Sequence, residues 1–369
     1  MTTRKVGITG SAGFIGRHLG ELLRQRGCEV VAFEGDIVDS EKVRRFAEDC
    51  EVVFHLAARN IGPESEILRI NREGTRLLAE AAKAVGGRHV VFSSSNLVTR
   101  RPQSAYAKSK LAGEEMLAEI AGSNGCKASV FRVANTYGPG SRPFYNSVVA
   151  TFCWYAAAGR CDELPIHGDG SQVVEFVPVG EVVEILGACL DQVEPLRRGE
   201  IAGEAFSVRE LGETICDPKR RAAHPALEAQ VQSYRSARLA GQKEVRRYPI
   251  HSRASGSFQE LLRGDEARFG QLSICTIAPF DERGGHYHLH KEEWFCVVQG
   301  RMALDFFTRS GDYLLTQLLE AEHPRFLHVP PPYYHVVRNI GPGEVKFLIV
   351  ANEAFDPEKP DTHVLPFSL

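Results

Sequence analysis

The sequence predicts two fold classes in one chain: a doubly wound α/β parallel sheet, then a smaller all-β domain. Three observations predict it. Short β-rich runs alternate with amphipathic helical patterns from Lys5 to Arg132, and steady strand–helix–strand alternation makes a parallel sheet covered on both faces. From Tyr248 onward helical periodicity nearly vanishes and short strands follow one another between turn residues, the texture of a sandwich or barrel. The chain's 369 residues also exceed what one hydrophobic core organises.

In the first domain, strands are expected at Lys5–Thr9, Glu29–Phe33, Val52–Leu56, His89–Ser93 and Ser129–Arg132, with helices at Phe14–Arg26, Glu41–Glu48, Ile67–Val85 and Ser104–Ile120. The pattern then loosens. The polar, Arg/Glu-rich stretch Asp191–Arg247 is expected to hold the boundary, giving domains 1–245 and 246–369. In the second, strands are expected at Gln271–Ile277, Phe295–Gln299, Ala303–Phe307, Phe326–Val329, His335–Arg338 and Lys346–Val350. No internal repeat or low-complexity tract interrupts either.

Composition narrows the function classes. Hydrophobic residues make up 43% and charged residues 25%, which excludes a disordered chain or a fibre. A net charge of -3 offers no general attraction to a phosphate backbone, so nucleic acid is not an expected partner. No apolar run reaches the roughly 18 residues of a membrane span, and the N-terminus enters a strand directly, so no membrane contact, no signal peptide and a cytoplasmic location are expected. The 9 cysteines are scattered without a Cys-x-x-Cys pair and are expected as reduced thiols.

Between the first strand and first helix lies Thr9-Gly10-Ser-Ala-Gly13-Phe14-Ile15-Gly16. Glycines there permit a tight turn and let a pyrophosphate approach the helix N-terminus, where free N–H groups and the dipole hold it. The alternative is a ligand-free glycine-rich turn; the position between strand and amphipathic helix favours a dinucleotide. This spacing resembles the extended short-chain dehydrogenase/reductases of Rossmann type. Asp36-Ile37 resembles the pair that contacts adenine, His55-Leu56-Ala57-Ala58 the strand-end motif beside the cofactor, and Asn71–Thr75 the opening of the following helix. Carboxylates at Glu34 and Asp36, with no arginine close behind, favour the free ribose hydroxyl of NAD. The family named below implies NADPH, so NADP is expected with NAD as the alternative.

Tyr106 and Lys110 are spaced i, i+4 and project from one helix face. A nearby ammonium favours phenolate and is expected to lower the tyrosine pKa toward working pH, making Tyr106 a proton donor or acceptor for a carbonyl or hydroxyl oxygen. Alignment on the family pattern gives Ser95, the last of Ser93-Ser94-Ser95, the catalytic hydroxyl. The sugar-nucleotide dehydratases of that family carry Asp-Glu next; Asn96-Leu97 stand here, which argues against elimination of water. Asn135 matches the asparagine that contacts the substrate diphosphate, and His167–Gln172 resembles a loop near the nucleotide. The arginine usual after that loop is Val174, leaving Arg142 as the candidate for diphosphate neutralisation.

Seven of the 13 histidines fall between His286 and His363. Strand alternation puts His286, His288 and His290 on one face. His-x-His-x4-Glu293, then Gly300, resembles the first cupin motif, and Pro330–His335 with Asn339 the second, Pro332 replacing a glycine. The resemblance implies a jelly roll in which His286, His288, Glu293 and His335 bind a divalent metal, zinc first, with Fe²⁺, Mn²⁺ and Ni²⁺ as alternatives. The competing reading is a metal-free sugar epimerase with His286 as base.

A short-chain reductase followed by a cupin resembles the bifunctional capsular-polysaccharide enzymes that form UDP-2-acetamido-2,6-dideoxy-L-talose. Phe144–Cys153, Gly256–Glu260 and the tail Asn352–Thr362 carry that resemblance as well. It implies a UDP-linked 4-keto-6-deoxy sugar as partner: the cupin inverts carbon 3, with Tyr287, His290 and Tyr334 as candidate bases, and the reductase then reduces carbon 4. It also implies a homodimer paired through the Tyr-x-x-x-Lys helix. Two other readings are a plain NDP-sugar 4-reductase or 4-epimerase with a structural cupin, and an NADP-sensing regulatory module; sensors usually lack the Tyr/Lys pair present here.

Overall fold

The computed structural model describes residues 3–245, 249–253, 256–262 and 269–365. Two compact units emerge. The first runs to Pro139 and resumes over Cys161–Ala229; the second takes Gly140–Arg160 and the chain from Gln230 onward. A single cut after residue 245 therefore does not divide the chain: the segment Gly140–Arg160 and the residues from Gln230 to Val245 belong with the β unit. Residues 246–248, on the far side of the expected cut, lie outside the described residues.

In the first unit, β1 (Lys5–Thr9), α1 (Phe14–Gln25), β2 (Glu29–Ala32), α2 (Ser40–Asp49), β3 (Val52–His55), α3 (Glu64–Val85), β4 (His89–Ser95), α4 (Leu97–Arg100), α5 (Ala105–Ile120) and β5 (Lys127–Val133) follow in order. The sheet order is β2-β1-β3-β4-β5, closed by the strand Leu196–Ile201, and the pairings are parallel. Its central strands read as continuous apolar runs because both faces are covered. Val6, Ile8, Phe54 and Val91 pack against Leu19 and Leu23 of α1, while Val53, Val90 and Phe92 pack against Leu78 of α3 and Leu117 of α5. The chain passes from β1 to β2 on one side, whereas β3 lies on the other. This opens a crevice at the carboxyl ends of β1 and β3, where doubly wound sheets place ligands.

The sixth strand falls in the stretch expected as a polar boundary. Leu-Arg-Arg-Gly-Glu-Ile at a half-exposed sheet edge carries too little apolar alternation to announce itself. Further helices at Val148–Ala158, Val179–Gly187, Val208–Cys216 and Pro225–Ser236 also fill the region where the pattern loosened.

The second unit contains two four-stranded antiparallel sheets. One orders Gln271–Ile277, Val345–Ala351, Glu293–Gln299 and Leu327–Val329; the other orders Glu282–His286, Tyr334–Asn339, Arg301–Phe307 and Tyr313–Glu320. Ile277, Phe295, Val297 and Phe347 from the first meet Met302, Leu304, Phe306 and Val337 from the second. That is a jelly-roll sandwich with its core between the sheets. The helix Val148–Ala158 packs into this unit: Trp154 Nε1 donates to the Thr316 carbonyl at 3.0 Å, and Arg301 to the Tyr155 hydroxyl at 2.8 Å.

Two expectations are corrected. Cys161 and Cys216 form a disulfide rather than two reduced thiols; at a sequence separation of 55, no short spacing could signal the pair. Arg142 is not available for a diphosphate. It pairs at 2.8 Å with Asp305, which is fully buried and also held by Arg338 at 2.6 and 3.0 Å. Burial alone would raise the Asp305 carboxyl, but the two guanidiniums outweigh it and hold it below its ordinary value. Among the described residues, no helix is long and apolar enough to cross a membrane.

Candidate active site and metal centre

The loop after β1 is built to accept something against its backbone. Gly10 adopts φ +73°, and a Cβ at Gly16 would stand 2.1 Å from the Gly10 carbonyl oxygen. Gly13 caps α1 without a side-chain hydrogen bond, so the first-turn N–H groups offer an anion site. Phe14, Ile15 and Leu56 pack against the core beneath. Asp36 is exposed, accepting from Val38 N at 3.2 Å, while Ile37 fits over Gly74, where a Cβ would meet it at 2.8 Å.

A hydrogen-bond chain ties the crevice together. The Thr75 hydroxyl donates to the Asn71 carbonyl at 2.8 Å, so it must accept from His55 Nε2–H at 3.0 Å. Burial pushes His55 down to about 3, and the neutral ring's Nδ1 accepts from the Thr9 hydroxyl at 2.8 Å. Thr9 in turn accepts from Ala57 N at 3.2 Å, placing Ala57 and Ala58 at the mouth. Asn71 continues the chain, donating to Ser109 at 3.0 Å next to Lys110. Sequence reasoning singled out His55 and Asn71 only through the resemblance.

Ser104 caps α5, accepting from Ala107 N, which sets the phase that turns Tyr106 and Lys110 toward β4. Lys110 Nζ donates to the Ser93 carbonyl at 2.7 Å and lies 5.7 Å from the Tyr106 ring centre. Burial pushes Lys110 down to about 7, with Glu114 opposing it; burial also pushes Tyr106 up to about 12. The expected lowering of the phenol by the ammonium is thus corrected: the shift is upward, and burial is its cause. Ser95, buried at the end of β4, accepts from Leu97 N at 3.2 Å. Beside it, Asn96 Nδ2 is buried without a partner.

Glu114 was missed. One further i+4 step from Lys110, it is buried, accepts from Ser94, and pairs with Arg132 at 2.8 Å. The Tyr106–Lys110–Glu114 spacing was the available signal. Asn135 is exposed at the start of the short strand Asn135–Tyr137, two residues past β5, and donates to the Glu175 carbonyl at 3.2 Å. Arg209 holds the His167–Gln172 loop through the Asp169 carbonyl at 3.0 Å.

In the β unit, ligand atoms of His286, His288, Glu293 and His335 lie within 4.8 Å of one another. Glu293 Oε2 is 3.4 Å from His288 Nε2 and 3.6 Å from His335 Nε2, yet both nitrogens are buried with no hydrogen-bond partner. Three imidazoles and a carboxylate around one point, two of the ring nitrogens buried and unpartnered, are the donor set for a divalent ion; bonds of about 2.1 Å would need only modest contraction of the cluster. The residues present fit such a metal. His290 does not join them, because the strand ends at His286 and the chain turns, leaving His290 exposed. The three candidate bases are not brought together there. Tyr334 alternates to the face opposite His335, where it meets Phe307, and Tyr287 stacks on His363 at 5.1 Å.

Comparison with known proteins agrees with both halves. Residues 6–202 match the NAD dependent epimerase/dehydratase family, and residues 251–363 match the polysaccharide biosynthesis C-terminal domain. A curated relative from Pseudomonas aeruginosa, UDP-2-acetamido-2,6-beta-L-arabino-hexul-4-ose reductase, is 31% identical, with 97% of this chain and 98% of the relative covered. Among solved structures, MoeE5 in complex with UDP-glucose and NAD is 27% identical with a TM-score of 0.54, covering 62% of this chain and 97% of that one. The Thermotoga maritima UDP-glucose 4-epimerase with UDP-glucose is 26% identical with a TM-score of 0.52, covering 57% and 82%. With the glycine loop, the Tyr106–Lys110 helix and a family match over more than half its length, the chain belongs to the NAD dependent epimerase/dehydratase family.

Proposed function

We propose that the chain is a nucleotide-sugar reductase of capsule-type polysaccharide synthesis that acts on a UDP-linked 4-keto-6-deoxy amino sugar. Its β unit first inverts carbon 3, and its sheet unit then reduces the carbon 4 ketone. The observation that carries the reduction is the Tyr106–Lys110 pair at the carboxyl end of β4, beside a glycine loop shaped for a dinucleotide. The full-length likeness to a hexulose reductase points to the same substrate class.

When bound, the nicotinamide supplies the hydride. The protein supplies the rest: Ser95 holds the oxygen on carbon 4, Tyr106 gives it a proton, and the Lys110 ammonium stabilises the phenolate left behind. A phenol held protonated up to about 12 suits donation. In the β unit, His286, His288, Glu293 and His335 would hold a divalent ion, zinc first, which supplies Lewis acidity toward the carbonyl next to carbon 3. The orphaned nitrogens of His288 and His335 favour this over a metal-free site with His286 as base.

For the coenzyme, NADPH is the reading we favour. Lys42 folds back over Gly35, its Nζ 2.8 Å from where a Cβ on that glycine would stand. It brings a cation, 3.9 Å from the Asp39 carboxylate, over the loop that follows β2 and carries Glu34 and Asp36, which sequence order alone did not suggest. Lys42→Ala should then raise KM for NADPH at least tenfold and leave KM for NADH within twofold; equal effects would sink this assignment.

The two chemistries should separate. Tyr106→Phe should slow reduction by roughly 10²–10⁴-fold while deuterium exchange at carbon 3 continues. His288→Ala should stop exchange while a substrate already inverted at carbon 3 is still reduced. Exchange that survives in His288→Ala and disappears in Tyr106→Phe would place both steps in the reductase cleft. The β unit would then have a structural role in a plain 4-reductase.

A further inference from the structure

The turn that carries His288 makes few hydrogen bonds of its own. Between the strands Glu282–His286 and Glu293–Gln299, the chain runs through Leu289, His290, Lys291 and Glu292 without regular structure, and each of their N–H groups is taken by the distant tail. Asp361 accepts from Leu289 N at 2.9 Å, His290 N at 2.7 Å and Lys291 N at 2.9 Å. Asn352 accepts from Glu292 N at 3.0 Å. A two-way backbone bridge between Tyr287 and His363, at 2.8 and 2.9 Å, fixes the tail on the other side. Three N–H donors and the His363 ring converge on the Asp361 carboxylate, and together they hold it well below the usual carboxylate range.

The same residue reaches the histidine itself. The Asp361 carbonyl oxygen accepts a hydrogen bond from His288 Nδ1. That bond fixes the proton on Nδ1, so Nε2 presents its lone pair to the cluster formed with Glu293 and His335. Side chain and main chain of one residue thus do two jobs. The carboxylate sets the shape of the turn, and the carbonyl sets the tautomer and direction of the ring.

We infer that Asp361 is the positioning residue of the metal centre, and that the tail Asn352–His363 is a strap without which the four ligand groups do not converge. The inference rests on the metal reading above. It gives the carboxyl-terminal segment, whose Asp361 lies 73 residues from the histidine it holds, a direct part in metal affinity.

The test is competition for Zn²⁺ against a chromophoric chelator, together with the visible spectrum of the Co²⁺-substituted full-length protein. Asp361→Ala keeps the carbonyl but releases the three turn N–H groups that hold it in place, and as carbonyl and ring lose their register it should weaken Zn²⁺ binding by about 10–100-fold, the range seen for a disturbed outer shell. At saturating Co²⁺ its absorption bands should move or weaken as the ring loses its direction. Asp361→Asn retains one acceptor oxygen and should fall between. Asn352→Ala, which frees only Glu292 N, should change affinity less than threefold. If Asp361 served folding alone, Asp361→Ala would lower the thermal midpoint but leave Zn²⁺ affinity and the Co²⁺ spectrum of the folded protein unchanged, and that result overturns the proposal. Should Asp361→Ala fail to fold, Asp361→Asn carries the same two outcomes. Wild-type protein that binds neither ion would instead overturn the metal reading, so the two failures are distinguishable.

Discussion

At His55 the ring is enclosed between Thr9 and Thr75 and both nitrogens are committed, one as donor and one as acceptor. A second proton would turn the acceptor into a donor facing a hydroxyl already used by Ala57, and would place a charge at a fully buried ring. The folded pKa of about 3 lies below that of a free histidine, so the unfolded chain binds more protons. Stability from this residue is present above pH 6.5 and is lost as pH falls toward 3, by an amount of the order of 5 kcal/mol. Urea unfolding at pH 7 and pH 4.5 should show the loss. His55→Gln, less stable at pH 7, should lose less between the two pH values. A wild-type protein as stable at pH 4.5 as at pH 7 would contradict the burial argument. This residue also marks where sequence reading stops. His55 could be placed beside the cofactor by its motif, but its tautomer depends on Thr75, 20 residues away, and on which carbonyl Thr75 has chosen.

Along α5 the residues act as a stack: Tyr106 at the crevice, Lys110 one turn below, Glu114 below that and fastened to Arg132. The Lys110 ammonium loses its proton as pH rises through about 7, so kcat/KM for reduction should fall over that range. Glu114 raises the Lys110 pKa; Glu114→Gln should therefore shift the falling limb to lower pH and leave the low-pH plateau nearly unchanged. An unmoved limb would show that Glu114 only holds Arg132. The same variant leaves Arg132 and Ser94 poorly satisfied and should cost about 3 kcal/mol of stability, readable as a lower urea midpoint at unchanged slope. Elements such as α5 were legible because propensity, cap and spacing agree over four turns. The edge strand Leu196–Ile201 and the strand Glu282–His286, whose sequence is Glu-Arg-Gly-Gly-His, were not. Neighbouring strands stabilise them, and nothing in their own side chains alternates. The clustering of His286, His288, Glu293 and His335 was legible because two short motifs carry it. The misplacement of His290 came from assuming that the strand continued past His286.

Taken as a whole, the molecule divides the two proposed chemistries between its two units. Exhaustive dialysis against a strong chelator should stop deuterium exchange at carbon 3, while reduction of a pre-inverted substrate continues at better than half its rate. Loss of both together would argue for one shared centre. Arg142, assigned by sequence order to the reductase, shows how the division was misread. A count of residues along the chain cannot reveal that Gly140–Arg160 belongs elsewhere, since that fact resides in its partners Asp305, Thr316 and Arg301.

The polypeptide therefore crosses between the units at Pro139, again at Arg160, and again at Ala229. An end-to-end fusion of two ancestral genes makes one crossing. A thread that makes three is not exchanged cleanly at one point: a single breakpoint at Ala229 would carry the helix Val148–Ala158 off with the wrong parent, its Phe152, Cys153 and Tyr155 stripped of cover. A shuffled hybrid would keep its fold only if the donor barrel brought along a matching insert from inside the partner gene.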